Sequence, residues 1–101
     1  KVITMKIMFP EIYLTAAIST DYLTVADNNL FEQAHKEPLS RIAKRDTGYF
    51  LKLWETEDDA RESKFFNALS SGENGVQGLI IQAIMINASC IEFDCDAGYT
   101  V

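Results

Sequence analysis

Carboxylates are the residues of this chain best placed to do chemistry. Five fall within one short segment, Glu55, Glu57, Asp58, Asp59 and Glu62. On a helix, Asp58 and Glu62 stand four apart and Asp59 and Glu62 three apart, so they share a face. Such an array imitates a row of phosphates. It suits docking into a basic groove built for nucleic acid, with fast and salt-sensitive association. The same acids also have a purely structural use: carboxylates in a first helical turn stabilise its positive end by roughly a few tenths of a kcal/mol. Glu57 and Arg61 form an ordinary i,i+4 pair.

A second group, Glu92, Asp94 and Asp96, alternates along a predicted strand and shares one of its faces. Paired carboxylates at this spacing suit Mg²⁺ or Ca²⁺, or act as acid and base. Nothing nearby supplies further ligands in a recognisable order, and the EF-hand pattern is absent, so the simpler expectation is a second acidic patch. His35, the single histidine, sits at a predicted helix end where positive charge suits the dipole, with no nucleophile motif beside it. Cys90 and Cys95 are separated by an odd number of positions, so on a strand they face opposite ways and read as two reduced thiols. With one histidine they cannot complete a zinc site. Gly72, Gly75 and Gly78 do not follow a strand in G-x-G-x-x-G order. No catalytic residue, no metal and no cofactor are therefore expected.

Nine basic residues face fifteen acidic ones, a net charge of −6 and a pI near 4.6. A phosphate backbone is repelled on average, which excludes direct nucleic-acid binding. Residues 46–101 hold ten acids against three bases, whereas residues 1–45 hold five against six. Four of the bases, Lys36, Arg41, Lys44 and Arg45, gather around a predicted hairpin, where such charges keep an edge strand soluble. The chain of 101 residues, 48% of them hydrophobic, has the size and balance of a single folded domain spanning residues 1–101. No apolar run reaches the length of a membrane span, and Ile7-Met8-Phe9 is cut short by Pro10 and Glu11 before it resembles a leader. The expectation is a cytoplasmic protein with no membrane partner.

These groups need elements to hold them. Residues 2–9 are β-branched and apolar enough for a short strand, and residues 12–18 alternate cleanly, predicting a half-buried strand. Thr24 with Asp27 fits a capping box that opens a helix ending near Lys36. Residues 40–45 and 48–54 flank Asp46-Thr47-Gly48 as a hairpin, its second arm apolar on both faces and so central. Thr56 with Asp59 opens a further helix to about Leu69. Residues 76–88 are apolar nearly all round and predict a helix buried against the sheet. Residues 90–94 form the last strand, and Ala97-Gly98 turns after it. The fold class expected is α+β: a mixed or mostly antiparallel sheet of four to five strands packed against two to three helices.

Three patterns together resemble a family of small bacterial domains of unknown function found on plasmids, prophages and genomic islands. They are Ser19-Thr20-Asp21-Tyr22-Leu23-Thr24, Gly48-Tyr49-Phe50, and Ile91-Glu92-Phe93-Asp94-Cys95-Asp96-Ala97. The resemblance implies an α+β domain among mobile-element genes, where antirestriction proteins are frequent neighbours, and it implies no activity. Relatives often carry His where this chain has Tyr22. Many also continue into a Leu-Pro and aromatic ending that this chain lacks after Val101.

Charge, size and setting lead to one functional expectation: a small acidic, non-enzymatic inhibitor of anti-CRISPR or antirestriction type. Its partner is a host protein with a basic nucleic-acid-binding groove, met through Glu55, Glu57, Asp58, Asp59 and Glu62, with Glu92, Asp94 and Asp96 as a second patch. Two other classes remain. One is an interaction module, antitoxin-like or an assembly partner, with an apolar patch around Tyr22, Tyr49 or Trp54. The other is a small metal-dependent enzyme centred on Asp94 and Asp96.

Overall fold

A computed structural model describes residues 11–97. Four strands, β1 (Thr15–Ile18), β2 (Ile42–Arg45), β3 (Gly48–Lys52) and β4 (Cys90–Asp94), form one mixed sheet in the order β1-β4-β3-β2. Four helices accompany them: α1 (Val25–Ala34), α2 (Glu57–Arg61), α3 (Lys64–Ala68) and α4 (Val76–Met85), with a single 3-10 turn at Thr20–Tyr22. The fold is α+β. β2, β3 and β4 pair antiparallel, and β1 joins β4 in parallel with Thr15 opposite Cys90 and Ile18 opposite Phe93.

Period-two alternation decides which way each strand faces. Ile42, Tyr49, Leu51, Ile91 and Phe93 are buried together, with Ala16 and Ile18 packed alongside. Against that face the helices bring Phe31 from α1, Ala60 from α2, Phe66 from α3, and Val76, Ile80 and Ala83 from α4. Phe31 joins the layers, its ring 5.3 Å from that of Tyr49 and 5.5 Å from that of Phe93. The helices thus lie on one side of the sheet. The residues of opposite parity, among them Ala17, Ala43, Phe50, Glu92 and Asp94, point to the other side. β3 is central, as its doubly apolar pattern predicts.

The capping box forms as expected: Asp27 N donates to Thr24 Oγ1 at 3.0 Å, and Thr24 N to Asp27 Oδ2 at 3.0 Å. Asp27, 1% exposed, also holds the loop before α4. Its carboxylate accepts from Ser70 N at 2.8 Å and Ser70 Oγ at 2.7 Å, while Ser70 Oγ accepts from Val76 N at 3.0 Å. One carboxylate therefore closes the first turn of α1 and, through Ser70, supports that of α4. Burial pushes its pKa up, but the donors from Ser70 and Thr24 outweigh this and leave it below the ordinary aspartate range. At the hairpin, Gly48 takes φ +154°, and a Cβ there would stand 1.8 Å from the Phe93 carbonyl oxygen. Only glycine fits so close an approach.

Some expectations are corrected. Among the described residues helices number four rather than two to three, because the helix expected from Thr56 to Leu69 breaks at Glu62-Ser63. Ser63 takes extended backbone and caps a new helix, its Oγ accepting from Phe66 N at 3.4 Å. The break turns Phe66 into the core, 0% exposed. At Thr56 the hydroxyl accepts from Asp59 N at 3.1 Å. Strand β1 is shorter than the alternation of residues 12–18, since Ile12, Tyr13 and Leu14 lie outside the ladder and are exposed. α1 stops at Ala34 and α4 at Met85, each short of its predicted end. The strand expected at residues 2–9 and the turn at Gly98 lie outside the described residues.

Candidate functional site

The acidic segment begins where β3 leaves the sheet. Leu53 and Trp54 are buried. Trp54 is held between the Phe66 ring, 6.0 Å away at 86°, and the Arg41 guanidinium, 4.6 Å above its ring. Arg41 also donates to the carbonyls of Lys52 and Leu53, at 3.3 and 3.0 Å. This anchor fixes where the next turn of chain emerges. α2 then docks through Ala60, 0% exposed, which at about 100° per residue sends Asp58 and Glu62 outward on the opposite side.

Glu55, Asp58, Asp59 and Glu62 are exposed, and among the described residues none of them makes an ion pair. Glu57 differs, because its carboxylate accepts from Arg61 Nε at 2.7 Å. Asp58, Asp59 and Glu62 lie along about 6 Å of helix axis. Three charges over that length match or exceed the density of one DNA strand, which carries one per about 3.4 Å. Glu55 stands just before the helix, on the rim of a cavity of about 380 Å³ that Tyr13, Lys52, Asn87 and Ser89 also line.

The second patch is placed elsewhere. Glu92 and Asp94 project from the helix-free side of β4, and Asp96 lies in the turn beyond the strand. Asp94 pairs with Gly48, at the start of β3, while α2 follows the far end of β3, where Lys52 pairs with Cys90. The length of the sheet separates the two groups, so the eight acids do not form one surface. Glu92 is also engaged, its carboxylate 3.4 Å from Arg45 Nη1. Asp94, Cys95 and Asp96 bring three potential ligand atoms within 4.8 Å of one another. Asp94 Oδ1 there accepts from Asp96 N at 2.8 Å, the hydrogen bond of a local Asx turn. Loss of hydration, and then Asp96 and Asp94, push the Cys95 thiol above its ordinary range. Burial first, with Glu92 adding to it, does the same for Cys90. Both cysteines are free.

The basic patch is largely spent on structure. Besides Arg41 on Trp54 and Arg45 on Glu92, Lys44 reaches across to α1 and meets Glu32 at 2.8 Å. Glu32 also accepts from the Tyr49 hydroxyl, which lies 3.3 Å from Asn28 Oδ1, and has His35 Nε2 3.8 Å away. Lys44 first, and then Tyr49, hold the Glu32 carboxyl down at about 2. Burial, with Glu32 beside it, pushes Tyr49 up to about 12. No local motif foretells this cluster, because its members come from one helix and two strands. It ties α1 to the hairpin and gives His35 a carboxylate neighbour.

The apolar patch expected around Tyr22, Tyr49 or Trp54 is corrected at the last two, while Tyr22 is half-buried. Tyr49 and Trp54 are 5% and 8% exposed and belong to the core. The large apolar residues that face outward are instead Ile12, Tyr13, Leu14, Val25, Leu39, Met85 and Ile86. Among the described residues, no helix is long and apolar enough to cross a membrane. Comparison with protein-family models, with curated proteins and with solved structures finds no match.

Proposed function

We propose that this chain is a small, non-enzymatic inhibitor from a phage or mobile element, acting in the host cytoplasm on a nucleic-acid-handling defence protein of CRISPR or restriction type. The acidic face around α2 occupies the partner's basic groove in place of nucleic acid. One observation carries the reading: Asp58 and Asp59 on α2, with Glu55 just before it and Glu62 capping its end, stay exposed and without ion pairs among the described residues, the helix being held by a buried alanine. An array anchored in this way meets a basic groove with little ordering cost. The resemblance to mobile-element domains supports the setting. Asp94 and Asp96 serve at most as a separate contact, being a sheet's length away, and Glu57 and Glu92 are already paired.

The test is capture from a host lysate by the wild-type chain and by a variant with Glu55→Gln, Asp58→Asn, Asp59→Asn and Glu62→Gln. The expected result is a nucleic-acid-binding protein retained by the wild type, released by duplex DNA or by raised salt, and lost with the variant. Equal retention by the variant overturns the proposal. The exposed apolar residues at 12–14 and 85–86 favour a second reading, in which the chain is an interaction module with an apolar contact surface. Its binding would persist at high salt.

A further inference from the structure

The charges are unevenly placed on the surface as well as along the chain. Residues 12–20 and residues 74–91 contain no Asp, Glu, Lys, Arg or His, although 24% of all residues are charged. The two stretches meet in the fold. β1 pairs with β4, and α4 lies over their junction, where Ala16, Ile18, Leu79, Ala83 and Ile86 enclose a shallow apolar groove. Ile12, Tyr13 and Leu14 lead into β1 at 86%, 63% and 53% exposure, and Met85 and Ile86 end α4 at 72% and 59%. Glu11, Glu55 and Lys52 mark one border.

The sheet's two edges are treated differently. β2, at one edge, carries Lys44 and Arg45, charges of the kind that discourage pairing with another chain. β1, at the other, reads Thr-Ala-Ala-Ile with no charge, proline or glycine. Among the described residues, no strand pairs with its outer side.

We propose that the protein forms a two-fold dimer through the outer edge of β1 and the adjoining flank of α4. Charge selects a second copy as the occupant. In a two-fold contact the same patch is used by both copies, and a charge close to the axis faces its own sign. On a molecule of net charge −6, two copies approach with least repulsion where neither carries a charge. A basic partner, by contrast, finds nothing on this face to pair with. Antiparallel pairing of two β1 edges about the axis continues the sheet from four strands to eight. An uncharged core with a charged rim is also the usual build of an interface.

Sedimentation velocity and light scattering on the full chain, from about 1 to 300 µM, supply the test, because dimer population follows concentration. The expected species has twice the 11.4 kDa mass of one chain. A Leu14→Lys, Met85→Lys variant has a net charge of −6 + 2 = −4, and so less general repulsion. Its dimer should nevertheless weaken at least about tenfold, since like charges are then forced together. Both replaced side chains are exposed, so circular dichroism and Tm should be unchanged. Amide exchange on the wild type gives a readout independent of any variant: protection at residues 15–18 should rise with concentration. A wild type that is monomeric throughout, or a variant that dimerises equally well, overturns the proposal. Concentration-independent protection of a monomer overturns it too.

Discussion

Asp27 shows how much one side chain can organise. Its carboxylate gathers donors from Thr24 and Ser70 with almost no solvent contact. Its pKa is depressed on folding, burial opposing the shift and the donors prevailing. The stabilisation it contributes is therefore fully present above the unfolded aspartate value of about 3.9 and fades as pH falls through the lower folded value. Asp27→Asn should cost about 1–3 kcal/mol near neutral pH, since an amide nitrogen then faces buried N–H donors. A plot of Tm against pH should also have a shallower acid limb in the variant. Gly48→Ala should cost at least about 2 kcal/mol by urea unfolding, because the methyl group cannot coexist with the Phe93 carbonyl unless β3 and β4 separate. The Thr24–Asp27 bond is legible in the sequence, as its spacing is a local rule. The reach of Asp27 to Ser70, across forty-three positions, is not, nor is the convergence of Lys44 and Tyr49 on Glu32. Such contacts are decided by how helices settle on the sheet.

At the scale of elements, local pattern located all four described strands and the helices near α1 and α4: alternation for β1, turn residues and apolar runs for β2, β3 and β4, a capping box for α1 and an all-round apolar run for α4. It failed between Thr56 and Leu69, where capping signals at Thr56 and Ser63 compete. Ending the first helix at Arg61 lets Ala60 and Phe66 both face the core. The break is sealed by the Asn67 side-chain amide, which donates to the carbonyls of Arg61 and Ser63 at 2.8 and 2.9 Å. Ser63→Ala should destabilise the protein by about 1 kcal/mol through the lost cap. Asn67→Ala should cost a similar amount, because the Arg61 carbonyl at the end of α2 loses its donor, although the Ser63 carbonyl keeps the Asn67 backbone N–H. Urea midpoints at unchanged m-value would check both.

For the whole molecule, the acids at α2 matter less to folding than to whatever they meet. Replacing Glu55, Asp58, Asp59 and Glu62 by their amides brings the net charge from −6 to −2. The first-turn dipole contribution of Asp58 and Asp59 is lost, and relief of mutual repulsion offsets it. Tm should move by only a few degrees in either direction, roughly 5 °C at most, as differential scanning calorimetry would show. A larger fall would mean that the cluster has a structural role. The acid surplus was plain from composition, whereas its division between two ends of the sheet was not. Strand pairing decides that division: β4 runs antiparallel to β3, which carries Asp94 away from α2.

Trp54 is the single tryptophan of the chain, seated between Arg41 and Phe66 at the junction of hairpin and helices. The fold has in effect been issued with a built-in spectroscopic gauge. Its indole emission should be blue-shifted in the native state and move to longer wavelength once water reaches the ring. If that movement coincides with loss of the far-ultraviolet helical signal, sheet and helices come apart as one cooperative unit.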